Sequence, residues 1–191
     1  MVLLLICAAV ASLILGMGMP SVAAYALVAI LVAPSLIQFG ILPMAAHLFV
    51  FYFAVISNIT PPVAVSCYAA VPLAGANATK TGFTAFRLGI ASYIVPFVFC
   101  FNPALILVGS ALDVFLGVLF VTVGIFGVCI ALAGYYTDHV TMPRRLLLTA
   151  VSAVILLPTH VLVNLGGCVV MGVLFWPDLK NLFARIGRKK L

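Results

Sequence analysis

The sequence predicts an all-α fold: a polytopic bundle of transmembrane helices that contains discontinuous helices or re-entrant hairpins. Of the 191 residues, 66% are hydrophobic and only 6% are charged, whereas about a quarter of the residues in a soluble domain are charged. Residues 1–79, 88–112, 114–137 and 146–177 form runs without Lys, Arg, Asp or Glu, and a spanning helix needs about 20 apolar residues. These runs show no alternation of apolar and polar residues, which excludes a transmembrane β-barrel.

The first uncharged run is long enough for several helices, and its glycines and prolines divide it. We expect breaks at GMGMPS (16–21) and SNITPP (57–62), and a turn or short surface loop at PSLIQFGILP (34–43). The first helix is interpreted as a membrane span, because it lacks the basic start of a signal peptide. The predicted helical segments of this run are, in chain order, 1–16, 21–33, 44–57 and 61–74.

Two polar loops and two long helices follow. GANATKTG (75–82) has turn composition, and GYYTDHVTMPRR (134–145) is the second polar loop. Between them we predict a span over 83–100 and a long helix over 104–132, with Asp113 near the outer end of that helix. The last uncharged run, 146–177, is long for one span and contains Pro158, which favours a tight helical hairpin.

The positive charge predicts topology rather than nucleic-acid binding. The net charge of +6 is concentrated at Lys80 with Arg87, at Arg144–Arg145, and in the tail from Lys180 to Lys190. Lys and Arg are enriched in cytoplasmic loops of membrane proteins. Two helices between the first two clusters and a hairpin before the third place all three on the cytoplasmic side, so we expect a cytoplasmic C-terminus.

The double proline at SNITPP predicts unpaired backbone oxygens inside a membrane helix. Proline lacks an N–H and leaves the carbonyl four residues earlier without its helical partner. Pro61 would free the carbonyl of Ser57, Pro62 that of Asn58, and Pro20 that of Gly16. Unsatisfied backbone groups cost several kcal/mol in lipid, so the freed oxygens need compensation.

The freed oxygens at SNITPP would lie beside the hydroxyls of Ser57 and Thr60 and the amide oxygen of Asn58. Neutral oxygens at this density suit a hard monovalent cation such as Na⁺ and fit poorly with a transition metal. Discontinuous helices near the membrane midplane are the usual ion sites of secondary transporters. The alternative is an ordinary proline kink, in which Ser and Thr bond back to the helix.

Three segments carry a family resemblance: GMGMPSVAAYALVA, LPMAAHLFVFYFAVISNITPPVAVSCYAA and KTGFTAFRLGIASYIVPFVFCFNPALIL. They resemble the C-terminal portion of the large membrane subunit of TRAP (tripartite ATP-independent periplasmic) transporters, of the fused 4TM/12TM, DctM-like permease type. The resemblance assigns residues 1–110 to the transport region and 111–191 to a C-terminal transmembrane extension with a basic tail.

The resemblance implies a component of a Na⁺-coupled, elevator-type importer of organic acids in the bacterial inner membrane. This chain would be half of an inverted-repeat fold and a fragment of the full permease. Its implied partners are a periplasmic substrate-binding protein, the remaining permease spans and the lipid bilayer, with Na⁺ as coupling ion and no cofactor. The implied cation-binding residues are Ser57, Asn58, Thr60 and Pro61 in one break and Gly16, Gly18, Pro20 and Ser21 in the facing break.

Two ionisable residues are weaker candidates for contact with the substrate. His47 lies within an apolar stretch, where an ionisable group often has a function, but a hydrogen-bonded structural histidine is an equal alternative. Arg87 could attract an anionic substrate, or its side chain could extend to the lipid headgroups.

Two other classes of protein remain alternatives. A non-transporting assembly or accessory module would use the helix breaks only for packing. An intramembrane enzyme is disfavoured, because GxSxG and HExxH motifs are absent and each of the three acids, Asp113, Asp138 and Asp178, is expected near an interface. The five cysteines form no CxxC motif and are interpreted as small buried hydrophobic residues.

Overall fold

The computed structural model describes residues 1–136, 139–157 and 160–188, with side chains described up to Trp176. It divides into two compact units, Met1–Ile106 and Leu107–Leu191. Both are helical, and the described residues contain no β-strand beyond an isolated bridge between Tyr135 and His139. The prediction of an all-α bundle is confirmed for this part of the chain.

Unit 1 consists of seven short helices, with 3₁₀ turns at Ser57–Ile59 and Pro103–Ile106. The first break falls where the sequence predicts it: Gly18 has φ +77°, a conformation that favours glycine, and Pro20 precedes the next helix. The helices are α1 (Val2–Gly16), α2 (Ser21–Leu31), α3 (Ala33–Gln38), α4 (Pro43–Ile56), α5 (Val65–Ala74), α6 (Ala78–Leu88) and α7 (Ile90–Phe101).

The central helix of unit 1 is α4, which packs against α1, α2 and α7. Apart from His47 it is apolar on every face, including the one on which Met44, Phe51 and Val55 are exposed. Phe49 and Phe53 are almost fully buried, with ring centroids 4.9 Å apart, and both rings contact Phe97 of α7. This core holds the C-terminal end of α4, and therefore SNITPP, in a fixed position.

Three predicted boundaries in unit 1 are wrong. Residues 34–43 were expected to form a loop, but α3 occupies their first half, because Pro34 lies in the first turn of a helix, where its missing N–H costs nothing. The expected loop 75–82 is helical from Ala78, because the Asn77 side chain accepts a hydrogen bond from the Lys80 N–H at 3.1 Å. The helix expected over 61–74 begins only at Val65, after Ala64 in a left-handed conformation.

Unit 2 contains α8 (Ala111–Ala133), α9 (Met142–Leu156) and α10 (Val161–Arg188). The predicted hairpin is confirmed, because α9 and α10 are separate helices that pack against each other. The predicted start of α8 at residue 104 is wrong. Gly109 has φ +134°, and Ser110 and Asp113 form a reciprocal capping box that starts the helix at Ala111 and places Asp113 in its first turn.

Glycines allow the three helices of unit 2 to approach closely. A methyl group on Gly124 of α8 would lie 2.9 Å from the side chain of Leu156 in α9, and one on Gly167 of α10 would lie 2.6 Å from Ile155. A methyl group on Gly127 of α8 would likewise clash with the side chains of Ser152 in α9 and Met171 in α10. Small residues at such contacts are typical of helix packing in membranes, where van der Waals contact drives association.

Two helical segments among the described residues are long and apolar enough to cross a membrane: Ala78–Phe101 and Ala111–Ala133. The first comprises α6 and α7, which meet at Gly89. The first segment contains the predicted span 83–100, and the second contains most of the predicted helix 104–132. The predicted N-terminal span is apolar, but α1 has 15 residues, fewer than the roughly 20 that a single span requires.

The cysteines differ from the expectation that all are buried. Cys67 is buried and Cys100 and Cys168 are half-buried, but Cys7 and Cys129 are exposed on apolar helices. All five are free thiols. On a helix that faces lipid, an exposed cysteine needs no polar partner, because it behaves as a small hydrophobic residue.

Candidate cation site at two helix breaks

The two helix breaks of unit 1, GMGMPS (16–21) and SNITPP (57–62), lie against each other. Gly16, the last residue of α1, packs on the end of α4: a methyl group placed on Gly16 would lie 2.9 Å from Ser57 Oγ and 3.1 Å from Ala54 Cα. Gly16 and Ser57 are both buried. Only a glycine allows this approach of α1 to the hydroxyl of Ser57.

A second contact joins the same segments. Asn58 Nδ2 lies 3.4 Å from Ser21 Oγ, where it can donate a hydrogen bond, and it also donates to the carbonyl of Val55 at 3.2 Å. A methyl group on Gly18 would lie 3.7 Å from Val63. The structure therefore brings together predicted site residues from both breaks. Pro20 precedes the first residue of α2 and is exposed.

The hydroxyls of Ser57 and Thr60 bond back to α4, as the proline-kink alternative expects. Ser57 Oγ donates to the carbonyl of Ala54 at 2.6 Å, and Thr60 Oγ1 donates to that of Ile56 at 2.8 Å. A hydroxyl has one proton to donate and two lone pairs that accept. Both oxygens therefore keep acceptor capacity after bonding to the helix.

The prediction of freed carbonyls is wrong for two of three residues. The carbonyl of Ser57 accepts from the Thr60 N–H at 3.1 Å, and that of Gly16 accepts from the Met19 N–H at 3.4 Å. Tight turns of the 3₁₀ type supply a donor one residue earlier than an α-helix does. The carbonyl of Asn58 lacks both possibilities, because the residues that would donate to it in a 3₁₀ or α turn are Pro61 and Pro62.

Pro61 lies beside α6. A methyl group on Gly82 of α6 would be 3.7 Å from Pro61 Cγ, and the Pro61–Pro62 peptide is cis. The carbonyl of Pro62 accepts a hydrogen bond from the Tyr68 hydroxyl at 2.9 Å. The ring of Pro61 therefore packs the turn against α6. Because Pro61 has no N–H, it cannot donate to the carbonyl of Asn58 in a 3₁₀ turn.

Tyr93 of α7 also belongs to this cluster, although the sequence did not single it out. Its hydroxyl lies 2.6 Å from Thr60 Oγ1, and its ring contacts Phe53 and Phe86. The one available signal was a polar aromatic residue in an otherwise apolar helix. A sequence separation of 33 residues gave no indication that Tyr93 meets Thr60.

The two substrate candidates lie apart from the breaks. His47 is in the first half of α4, and its Nδ1 lies 3.1 Å from the Tyr25 hydroxyl on α2. Ten residues of helix separate it from Ser57, or about 15 Å along the axis. Arg87 is exposed near the end of α6. Neither side chain forms a hydrogen bond with the oxygen cluster; that of His47 goes to Tyr25.

The cluster offers oxygen ligands of one chemical kind. Its candidates are the carbonyl and Oδ1 of Asn58 and the hydroxyls of Ser57, Thr60 and Ser21, all uncharged. Among the described residues, no group of three or more His, Cys, Asp or Glu is arranged to hold a metal ion. Oxygen donors of this type suit hard cations.

Two broken helices that meet within an apolar helical unit are typical of secondary membrane transporters, which build ion sites from such helices. Comparison with family models agrees with this class. Residues 1–114 match the model described as "Tripartite ATP-independent periplasmic transporter, DctM component".

The chain belongs to the DctM family, the large membrane component of TRAP transporters. The resemblance of the sequence motifs to this family is thereby confirmed, and the match includes all of unit 1. The assignment to the C-terminal portion of a fused permease stays a prediction. The family is one of membrane permeases that work with a periplasmic binding protein and other subunits, and it is a transporter family rather than an enzyme family. Comparisons with curated proteins and with solved structures gave no match.

Proposed function

We propose that this chain is the part of a Na⁺-coupled permease that holds one coupling ion, within a TRAP transporter that imports organic acids. The observation that carries this proposal is the contact of the two helix breaks at Gly16 and Ser57. Two interrupted helices that meet end to end concentrate backbone and side-chain oxygens at one point. Coupling ions bind at such points in secondary transporters.

Each residue of the proposed site has a distinct role. The oxygens of Ser57, Asn58, Thr60 and Ser21 would ligate Na⁺, together with the Asn58 carbonyl. Gly16 and Gly18 give the close approach and the left-handed turn that bring the two segments together. Pro20 interrupts the helical hydrogen bonding between α1 and α2, and Pro61 interrupts it after α4.

The remaining parts of the proposal follow from family membership. A periplasmic binding protein would deliver the carboxylate substrate, and the inner membrane of a bacterium would hold the permease, with its basic C-terminus in the cytoplasm. The N-terminal half of the permease and the small-subunit equivalent would complete the transport pathway. Arg87 and His47 stay weaker candidates for substrate contact, because they lie outside the cluster.

Uptake by the complete transporter tests the proposal. Proteoliposomes carrying the permease and its binding protein are given a labelled organic acid under a Na⁺ or a K⁺ gradient. We expect uptake with Na⁺ only, and a loss of at least tenfold when Asn58→Ala and Thr60→Ala are combined. Thr84→Ala is the matched control, because Thr84 Oγ1 also bonds to the carbonyl four residues earlier but is exposed on α6. Sodium-dependent uptake by the double variant would contradict the assignment.

The second candidate function is a non-transporting assembly module. The back-bonded hydroxyls of Ser57 and Thr60 favour it, because they satisfy the helix end without an ion. A module of this kind would have the same stability in Na⁺ and in K⁺. The transporter proposal requires a difference between the two ions.

A further inference from the structure

Unit 2 contains an apolar groove that the proposed transport function does not use. Its volume is about 420 Å³, within the range of small-molecule pockets. The groove lies between α8 and α10 and is lined mainly by Val123 and Phe126 of α8, Tyr136 after α8, and Cys168, Met171 and Phe175 of α10. From Cys168 to Phe175 it runs for about 10 Å along α10. Its lining is almost entirely apolar, which favours a hydrocarbon chain as the occupant.

One end of this groove is basic. Arg144 donates a hydrogen bond to the carbonyl of Leu174, the neighbour of Phe175. Arg145 donates to the carbonyls of Ala131 and Leu132 at 2.7 and 3.1 Å, at the end of α8. Both guanidinium groups therefore lie at the end of the groove that Tyr136 and Phe175 mark.

The charge continues along α10 past the same end. The helix runs on from Phe175 to Arg188 and carries Lys180, Arg185 and Arg188, with Asp178 as the one acidic residue of α10. Seven of the nine Lys and Arg residues of the chain follow residue 143. A basic cluster beside transmembrane helices attracts anionic lipid headgroups.

We propose that the groove between α8 and α10 binds one acyl chain of an anionic phospholipid, whose headgroup lies at the Arg144–Arg145 end. The apolar lining selects the hydrocarbon, and the basic end selects the negative headgroup. The pairing of both features at one site distinguishes it from the general lipid contact of the exposed apolar side chains elsewhere on these helices.

Glycines of α10 provide a sharp test of occupancy. Gly172 lines the groove, and a methyl group placed on it would meet no atom within 4 Å. A larger side chain at this position can therefore start from an unhindered Cβ and occupy part of the groove. Gly166 on the same helix is equally open but does not line the groove, so Gly166→Leu is the matched control for Gly172→Leu.

Native mass spectrometry of the delipidated protein measures the binding. Phosphatidylglycerol is titrated against the wild type, Gly172→Leu and Gly166→Leu, and phosphatidylcholine is titrated in parallel. We expect one phosphatidylglycerol per chain on the wild type and on Gly166→Leu, with binding at least tenfold weaker on Gly172→Leu and for phosphatidylcholine. Equal binding by Gly172→Leu, or equal binding of the two lipids, would overturn the proposal.

Thiol labelling gives a second test. It uses only the wild-type protein and so does not depend on whether a variant folds. Cys168 lines the groove, whereas Cys129 is exposed on α8 and lies outside the groove lining. Phosphatidylglycerol should slow the modification of Cys168 by a membrane-permeant maleimide at least fivefold relative to Cys129, as measured by peptide mass spectrometry. Unchanged labelling of Cys168, or equal slowing at both cysteines, would contradict a lipid in the groove.

Discussion

Gly16 packs against Ser57 so closely that a methyl group on Gly16 would lie 2.9 Å from the Ser57 hydroxyl oxygen. The contact joins the end of α1 to the end of α4, and it is the point at which the two interrupted helices meet. The hydroxyl of Ser57 also donates a hydrogen bond to the carbonyl of Ala54. The position of Ser57 is therefore fixed from two sides.

Gly16→Ala should separate the two breaks. The added methyl group meets Ser57 Oγ and the backbone of Ala54, which cannot give way as a flexible side chain can, so we expect a loss of stability of about 1–3 kcal/mol. Thermal unfolding in detergent measures the change. Gly82→Ala is the control, because a methyl group there meets neighbours only at 3.5 Å or more and gains helix propensity of up to about 1 kcal/mol. Equal effects of the two substitutions would show that the contact at Gly16 is not tight.

Tyr93→Phe should remove a hydrogen bond of the Thr60 hydroxyl without disturbing the aromatic core. The substitution removes the hydroxyl that lies 2.6 Å from Thr60 Oγ1 and keeps the ring contacts with Phe53 and Phe86. We expect a loss of about 1 kcal/mol in the free energy of unfolding and weaker stabilisation by Na⁺. Tyr52→Phe is the matched control, since no hydrogen bond of the Tyr52 hydroxyl is found within the described part of the chain. If Tyr93→Phe leaves both stability and the response to Na⁺ unchanged, Tyr93 has no part in the site.

Arg145 closes the C-terminal end of α8, and its removal should expose that end. Its guanidinium donates to two carbonyls that have no helical donor, and such charge-assisted bonds contribute about 1.5–3 kcal/mol each. Arg145→Gln should therefore speed amide hydrogen exchange in residues 130–134, and Arg145→Lys should have an intermediate effect, because an ammonium cannot match the fork of a guanidinium. Arg87→Gln, at an exposed position, should leave this exchange unchanged. Unaltered exchange in Arg145→Gln would exclude a capping role.

The sequence was informative where a single residue type decides the backbone. Pro20 with Gly18 and Pro61 with Pro62 located both helix breaks. The first pair combines a left-handed glycine with a missing N–H, and the second removes two consecutive N–H donors. The count of spans between basic clusters located the α9–α10 hairpin. Boundaries failed where a side chain terminates or starts a helix, as Asn77 does for α6 and Ser110 with Asp113 does for α8.

The site was predictable only in part. Some of its residues are neighbours in the sequence, but others reach the site only through tertiary packing. Ser57, Asn58 and Thr60 are neighbours in sequence, and their oxygens could be identified directly. The 3₁₀ turn that satisfies the Ser57 carbonyl depends on the local conformation of Thr60. The approach of Tyr93 and Gly16 depends on tertiary packing around α4, which neither spacing nor composition encodes.

The most direct test of the central claim is the thermal stability of the purified chain in Na⁺ and in K⁺ at equal ionic strength. A ligand that binds only the folded state stabilises it, by about 2.7 kcal/mol at a concentration 100-fold above its dissociation constant. We predict a melting temperature that rises with Na⁺ but not with K⁺, a lost response in Asn58→Ala combined with Thr60→Ala, and a retained response in Thr84→Ala. A wild-type melting temperature that is the same in both ions would contradict a sodium site at the two helix breaks.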